Sequence, residues 1–86
     1  MPIISRFLGI TVYLNYADHA PPHFHIRYAG REASVSIDPP GITRGQLPPR
    51  VAGLVIEWAI ARRAELLRDW ELARKHQPLQ PIEPLE

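Results

Sequence analysis

Residues 18 to 28, DHAPPHFHIRY, hold three histidines, an aspartate and an arginine within eleven positions. An imidazole can ligate a metal as a neutral donor, move a proton near neutral pH, or donate a hydrogen bond to an anion. Such a density therefore marks a polar site. His23 and His25 are two apart, so on a strand they project from one face about 7 Å apart along the backbone, close enough for both rings to reach one ion. A metal site needs further ligands. His19 would complete the set His19, His23, His25, with Asp18 of the same stretch, or Asp38 across a hairpin, as alternatives. Because cysteine is absent, any ion must bind through nitrogen and oxygen. The cofactor expected on this reading is a divalent transition metal.

Two other chemistries use the same residues. His23 or His25 could act as a general acid or base while Arg27 stabilises charge on a phosphate, which makes His23, His25 and Arg27 the candidate catalytic residues. Nucleophilic catalysis has less to rest on: no serine elbow motif occurs, and GITRG lacks the spacing and lysine of a phosphate loop. A recognition surface built from Asp18, His19, His23, His25 and Arg27, with Tyr13 and Asn15, would offer donors and flat stacking faces to a partner. The plain structural alternative is that these histidines bond neighbouring carbonyls and cover a sheet.

The elements that must position these residues show in the hydropathy pattern. ITVYLNY alternates Ile10, Val12, Leu14 and Tyr16 against Thr11, Tyr13 and Asn15, the period of two of a half-buried strand. HFHIRY repeats it, with Phe24, Ile26 and Tyr28 opposite His23, His25 and Arg27, and EASVSID does so again with Ala33, Val35 and Ile37. The turn between the last two is Gly30-Arg31 or Ala29-Gly30, and the faces are the same for both. Pairing of the first two strands through a loop at 16 to 22 would set Tyr13 beside His25 and Asn15 beside His23. The wet face becomes a plate of Tyr13, Asn15, His23, His25, Arg27, Ser34, Ser36 and Asp38.

After Asp38, PPGITRGQLPP holds four prolines and two glycines, and reads as a connecting loop without regular structure. From Pro49 the period becomes helical. Val51, Leu54, Val55 and Trp58 lie at i, i+3, i+4 and i+7, with Leu66, Trp70 and Ala73 continuing the stripe and a bend expected near Arg62. The stripe needs a surface, and the dry sheet face is the one large enough. The expected fold is α+β: a three- to four-stranded antiparallel meander with one long C-terminal helix packed on one face. Residues 1–76 form the domain. Residues 77–86, with proline at every third position, form a tail that is either a frayed end or an extended strap packing through Leu79, Ile82 and Leu85.

Length and composition bound the function. At 86 residues the chain is one domain's worth. A net charge of +1 provides no large electrostatic footprint, so nucleic acid is a weakly supported partner and an anionic membrane is not expected. The absence of cysteine, of a signal-like apolar run and of any long apolar stretch is consistent with a cytoplasmic protein.

MPIISRFLGI, DHAPPHFHIRY, LPPRVAGLVIEWAIARRAELLRDWELA and IEPL together resemble the domain of unknown function 4160 family, over nearly the whole chain. The motif positions here are Asp18, His19, Pro21, Pro22, His23, Phe24, His25 and Arg27. DPPGITRG departs from the family pattern in being richer in proline and glycine. The resemblance implies a small single-domain bacterial or archaeal protein, of a kind often grouped with toxin-antitoxin components and often encoded beside another small protein. It assigns no catalytic residue. The function expected is a binding module, a toxin-antitoxin-like component acting through the His/Arg-rich sheet face with a small protein partner encoded nearby. The competing expectation is a metal-dependent or histidine-based nuclease or hydrolase using His23 and His25.

Overall fold

The structure is a computed structural model describing residues 1–85; Glu86, the end of the 77–86 tail, lies outside the described residues. Five strands, β1 (Ile3–Phe7), β2 (Ile10–Tyr13), β3 (His23–Tyr28), β4 (Arg31–Ile37) and β5 (Pro40–Gly45), form one antiparallel sheet in sequential order. Two helices follow, α1 (Pro49–Ala61) and α2 (Arg63–Arg74). The α+β class and the antiparallel meander are as expected from the hydropathy pattern. The strand count and the single helix are not.

Both additional strands escape a period-two reading for local reasons. In β1 the neighbours Ile4 and Ser5 are both buried, and the register to β2 shifts between Ile3 and Ser5, so alternation is broken by an irregularity. β5 begins with Pro40 at the sheet edge, where a missing N–H costs no ladder bond, and its pairing to β4 carries a second shift beside Ser34. The segment expected to be a loop is thus an edge strand. Gly45 closes it at φ +80, and a Cβ there would collide with the backbone of Glu32 and Ala33. β2 is shorter than its alternation, ending at Tyr13 rather than Tyr16.

The turns settle the register. Leu8-Gly9 and Ala29-Gly30 each place two successive residues at positive φ, the geometry of a two-residue hairpin whose twist matches the strands. With Ala29-Gly30 as the turn, Tyr28 faces Arg31, His25 faces Ser34 and His23 faces Ser36.

Phe24, Ile26, Val35 and Ile37 are fully buried against Val55, Trp58 and Leu66, so the helices cover the dry face. Leu54 sits at the margin of this contact, half-buried rather than central. The helical run divides at Arg62, whose φ of −111° and ψ of 22° leave helical geometry, although Arg62 N–H still donates to Trp58 and Leu66 N–H to Arg62. α2 ends with His76 in the left-handed region at φ 55, its N–H donating to Ala73 and that of Gln77 to Leu72, the paired bonds of a Schellman cap.

The chain beyond this cap lies along the domain as a strap. Ile82 is buried, its N–H donates to Ile4 O at 2.8 Å, and Trp58 Nε1–H donates to Glu83 O at 2.8 Å. Asp69 holds the strap's start: it is fully buried, and its Oδ1 accepts the Gln80 N–H at 3.1 Å. Its Oδ2 has no hydrogen-bond partner among the described residues. Among those residues no helix is long and apolar enough to cross a membrane.

Two outcomes are expected from this packing. Leu66→Ala should lower stability by about 2 to 5 kcal/mol in a denaturant titration, and Leu54→Ala by less, because only the former leaves a closed cavity. The second concerns Asp69. Burial pushes its carboxyl above the ordinary carboxylate range, while the Gln80 N–H and the Arg68 guanidinium only partly oppose the rise. The folded chain thus holds the proton more tightly than the unfolded chain, so this stabilisation is complete below the unfolded carboxylate value and is lost as pH rises through the raised folded one. Asp69→Asn stays neutral and keeps an oxygen for Gln80; its melting temperature relative to wild type should therefore rise across that window.

Candidate functional site

Nine residues, 14–22, link β2 to β3 and bring Asp18 back over the start of β3. There Asp18 Oδ2 lies 2.6 Å from His25 Nε2 and 3.3 Å from His23 Nε2. The three side chains are 17 to 23% exposed, so their contacts are partly shielded from water. One ligand atom from each of Asp18, His23 and His25 falls within 4.8 Å of the other two.

Each ring is held from behind. His23 Nδ1–H donates to Pro21 O at 2.9 Å; a carbonyl can only accept, so this contact assigns the proton to Nδ1. The His23 ring also packs on Trp70 of α2, centroids 5.2 Å apart, and meets His25 edge-on at 5.1 Å. Tyr13, opposite His25 in the β2–β3 register, stacks on the His25 ring at 5.1 Å and 19°. Ser34, opposite His25 on the other side, places Oγ at 3.5 Å from Nδ1. Arg44 faces Ser34 from β5, completing a row of Tyr13, His25, Ser34 and Arg44 across four strands.

Above this row opens a cleft of about 500 Å³ whose walls include Asp18, His19, His23, Ser36 and Arg44. Gly41, opposite Ser36, presents no side chain there. A smaller cleft of about 270 Å³ adjoins it, with Tyr13, Asn15 and Arg44 in its lining.

The residues singled out in the sequence divide into two groups. Asp18, His23, His25 and Tyr13 are brought together. His19 is exposed on the cleft wall and outside the ligand cluster, so Asp18 takes the third position of the set His19, His23, His25. Arg27 is turned away: its Nη2 donates to Glu32 at 3.3 Å and meets Met1 Sδ at 3.5 Å, and its guanidinium lies 5.4 Å over the Tyr13 ring. It supports the Tyr13–His25 stack rather than facing the cleft. Asn15 lies beyond the end of β2 and is not paired with His23. Asp38 leaves the plate and pairs with Arg63. Arg44 lies on β5, in the segment whose prolines and glycines predict a loop, and the register shift beside Ser34 removes the alternation that would have marked it.

The model of the family described as domain of unknown function (DUF4160) matches residues 9–71, close to three quarters of the chain. The chain belongs to the DUF4160 family. The matched span contains β2 to β5 and most of the helical run, hence all of Tyr13, Asp18, His23, His25 and Arg44. No curated protein and no solved structure is matched. In this DUF4160 member the chemistry of the cluster therefore rests on its own geometry.

The geometry makes Asp18 and His25 an energetically coupled pair. In a double-mutant cycle of Asp18→Asn and His25→Gln, read by denaturant unfolding, the coupling should be about 1 to 3 kcal/mol, as for a hydrogen bond to a partly shielded charge. The equivalent cycle of His19→Gln with His25→Gln should give none.

Proposed function

We propose that the protein is a small binding module, one component of a two-protein, toxin-antitoxin-like pair, and that the cleft over Asp18, His23 and His25 is its working surface. The observation that supports this best is the placement of a packed, oriented polar cluster beneath an open cleft on the sheet face that the helices leave uncovered. Rigid rings need no ordering when a partner binds, which lowers the entropic cost of association. The exposed His19 and Arg44 on the cleft wall suit an anionic group, such as an acidic side chain or a terminal carboxylate of the partner. A small protein encoded beside this one is the partner expected from the family resemblance. The lack of cysteine is in keeping with a cytoplasmic setting.

A second reading, a histidine-based nuclease or hydrolase, draws support from the two contacts of His25. His25 is oriented by Asp18 on one side and lies near the Ser34 hydroxyl on the other, an arrangement in which an imidazole can relay a proton. In that reading Arg44, rather than Arg27, is the guanidinium within reach of a phosphate in the cleft.

Expression alone and with the neighbouring gene product separates the two. Co-purification that is weakened about tenfold or more by Arg44→Ala or His23→Gln, without growth arrest, is the outcome expected of the binding module. Growth arrest by wild type that disappears in His25→Gln would instead select the enzyme.

A further inference from the structure

Asp18, His23 and His25 converge three potential ligand atoms on one point. His23 Nδ1–H donates to Pro21 O, so Nε2 is the ring nitrogen turned toward Asp18 Oδ2, at 3.3 Å. That oxygen already accepts from His25 Nε2–H at 2.6 Å. One carboxylate oxygen thus meets two imidazole nitrogens inside a partly buried group, a convergence of ligand atoms that one cation could share.

We propose that Asp18, His23 and His25 form a binding site for a divalent first-row transition metal ion whose remaining coordination positions open onto the cleft. Bonds of about 2.0 to 2.2 Å in a tetrahedral arrangement space ligand atoms roughly 3.3 Å apart. The separation of His23 from Asp18 is already of that size, and all three ligand atoms lie within 4.8 Å of one another. On binding, the His25 proton moves from Nε2 to Nδ1, which frees the Nε2 lone pair for the ion, and the short contact to Asp18 opens slightly to admit it. The displaced tautomer is accommodated locally, because the Ser34 hydroxyl beside Nδ1 can accept a hydrogen bond as readily as donate one.

The surrounding shell has the form that ligating histidines require. The Pro21 carbonyl fixes the His23 tautomer with Nε2 outward, and Trp70 and Tyr13 pack the two rings in place. Two imidazoles and one carboxylate favour zinc, nickel or iron(II) over the harder magnesium and calcium. Three protein ligands leave at least one position for water or an incoming group, and the cleft carrying Ser36 and Arg44 lies on that side. This inference does not depend on the proposed partner: docking can proceed without an ion, and an ion can bind the isolated chain.

The test is calorimetric titration of the untagged full chain with zinc, nickel and manganese chlorides at neutral pH, alongside Asp18→Asn, His23→Gln and His19→Gln. One zinc or nickel ion should bind per chain, with manganese weaker. Asp18→Asn and His23→Gln should each weaken zinc affinity by at least about tenfold, and His19→Gln should leave it unchanged. Far-ultraviolet circular dichroism establishes that each variant is folded, and zinc should raise the melting temperature of wild type but not of the two ligand variants. Zinc affinity equal in wild type, Asp18→Asn and His23→Gln would overturn the site, as would its loss in His19→Gln alone. Absence of saturable binding to folded wild type would also overturn it.

Discussion

Burial of Phe24 and Ile26 against the helices is the contact from which the rest of the molecule takes its orientation. Both are fully buried, and Phe24 meets the Trp58 ring edge-on at 5.8 Å. Because side chains alternate along a strand, turning these two inward turns His23 and His25 outward as a pair. A register slip of one residue would bury both imidazoles and expose both apolar side chains, a cost far beyond any gain on the polar face. The polar site is therefore held in place by the core behind it.

The loop and the edge strand then convert an outward-facing pair into a three-dimensional site. On β3 alone the two histidines would be surface residues. The 14–22 connection returns Asp18 to within hydrogen-bond reach of both, and β5 adds Arg44 at the far end of the cross-strand row. α2 contributes from the other layer, since Trp70 is both a core residue and the surface against which His23 rests. Core and site thus share residues, so disturbance of either is transmitted to the other.

The C-terminal segment shows how a small domain extends a limited core. Ile82 joins the main apolar cluster, and backbone bonds to Ile4 and Asp69 and a side-chain bond from Trp58 hold the extended chain across both layers. The buried Asp69 carboxylate is the unusual element. It satisfies a Gln80 N–H that would otherwise be stranded, but its second oxygen has no partner among the described residues.

What the sequence alone determined is everything that follows from periodicity within a single element. The inward and outward faces of β3 and β4, the helical stripe from Val51 to Ala73, the bend near Arg62 and the density of ligating side chains at 18 to 28 were all legible there. β1 and β5 were not, because irregularities at Ile3/Ser5 and Ser34/Val35 and an edge proline remove the alternation by which a strand is recognised. The choice between Gly30-Arg31 and Ala29-Gly30 was decided by the strand register, which pairs Tyr28 with Arg31 and leaves Ala29 and Gly30, both at positive φ, as the turn. Tertiary structure alone decided that Asp18 rather than His19 meets His23 and His25, that Arg27 braces Tyr13 rather than facing the cleft, and that Asp69 belongs inside. In each case the partner lies on another segment of the chain. Which of two adjacent loop residues points inward depends on the path of the whole connection between β2 and β3, and that path is set by the packing of the strands it joins.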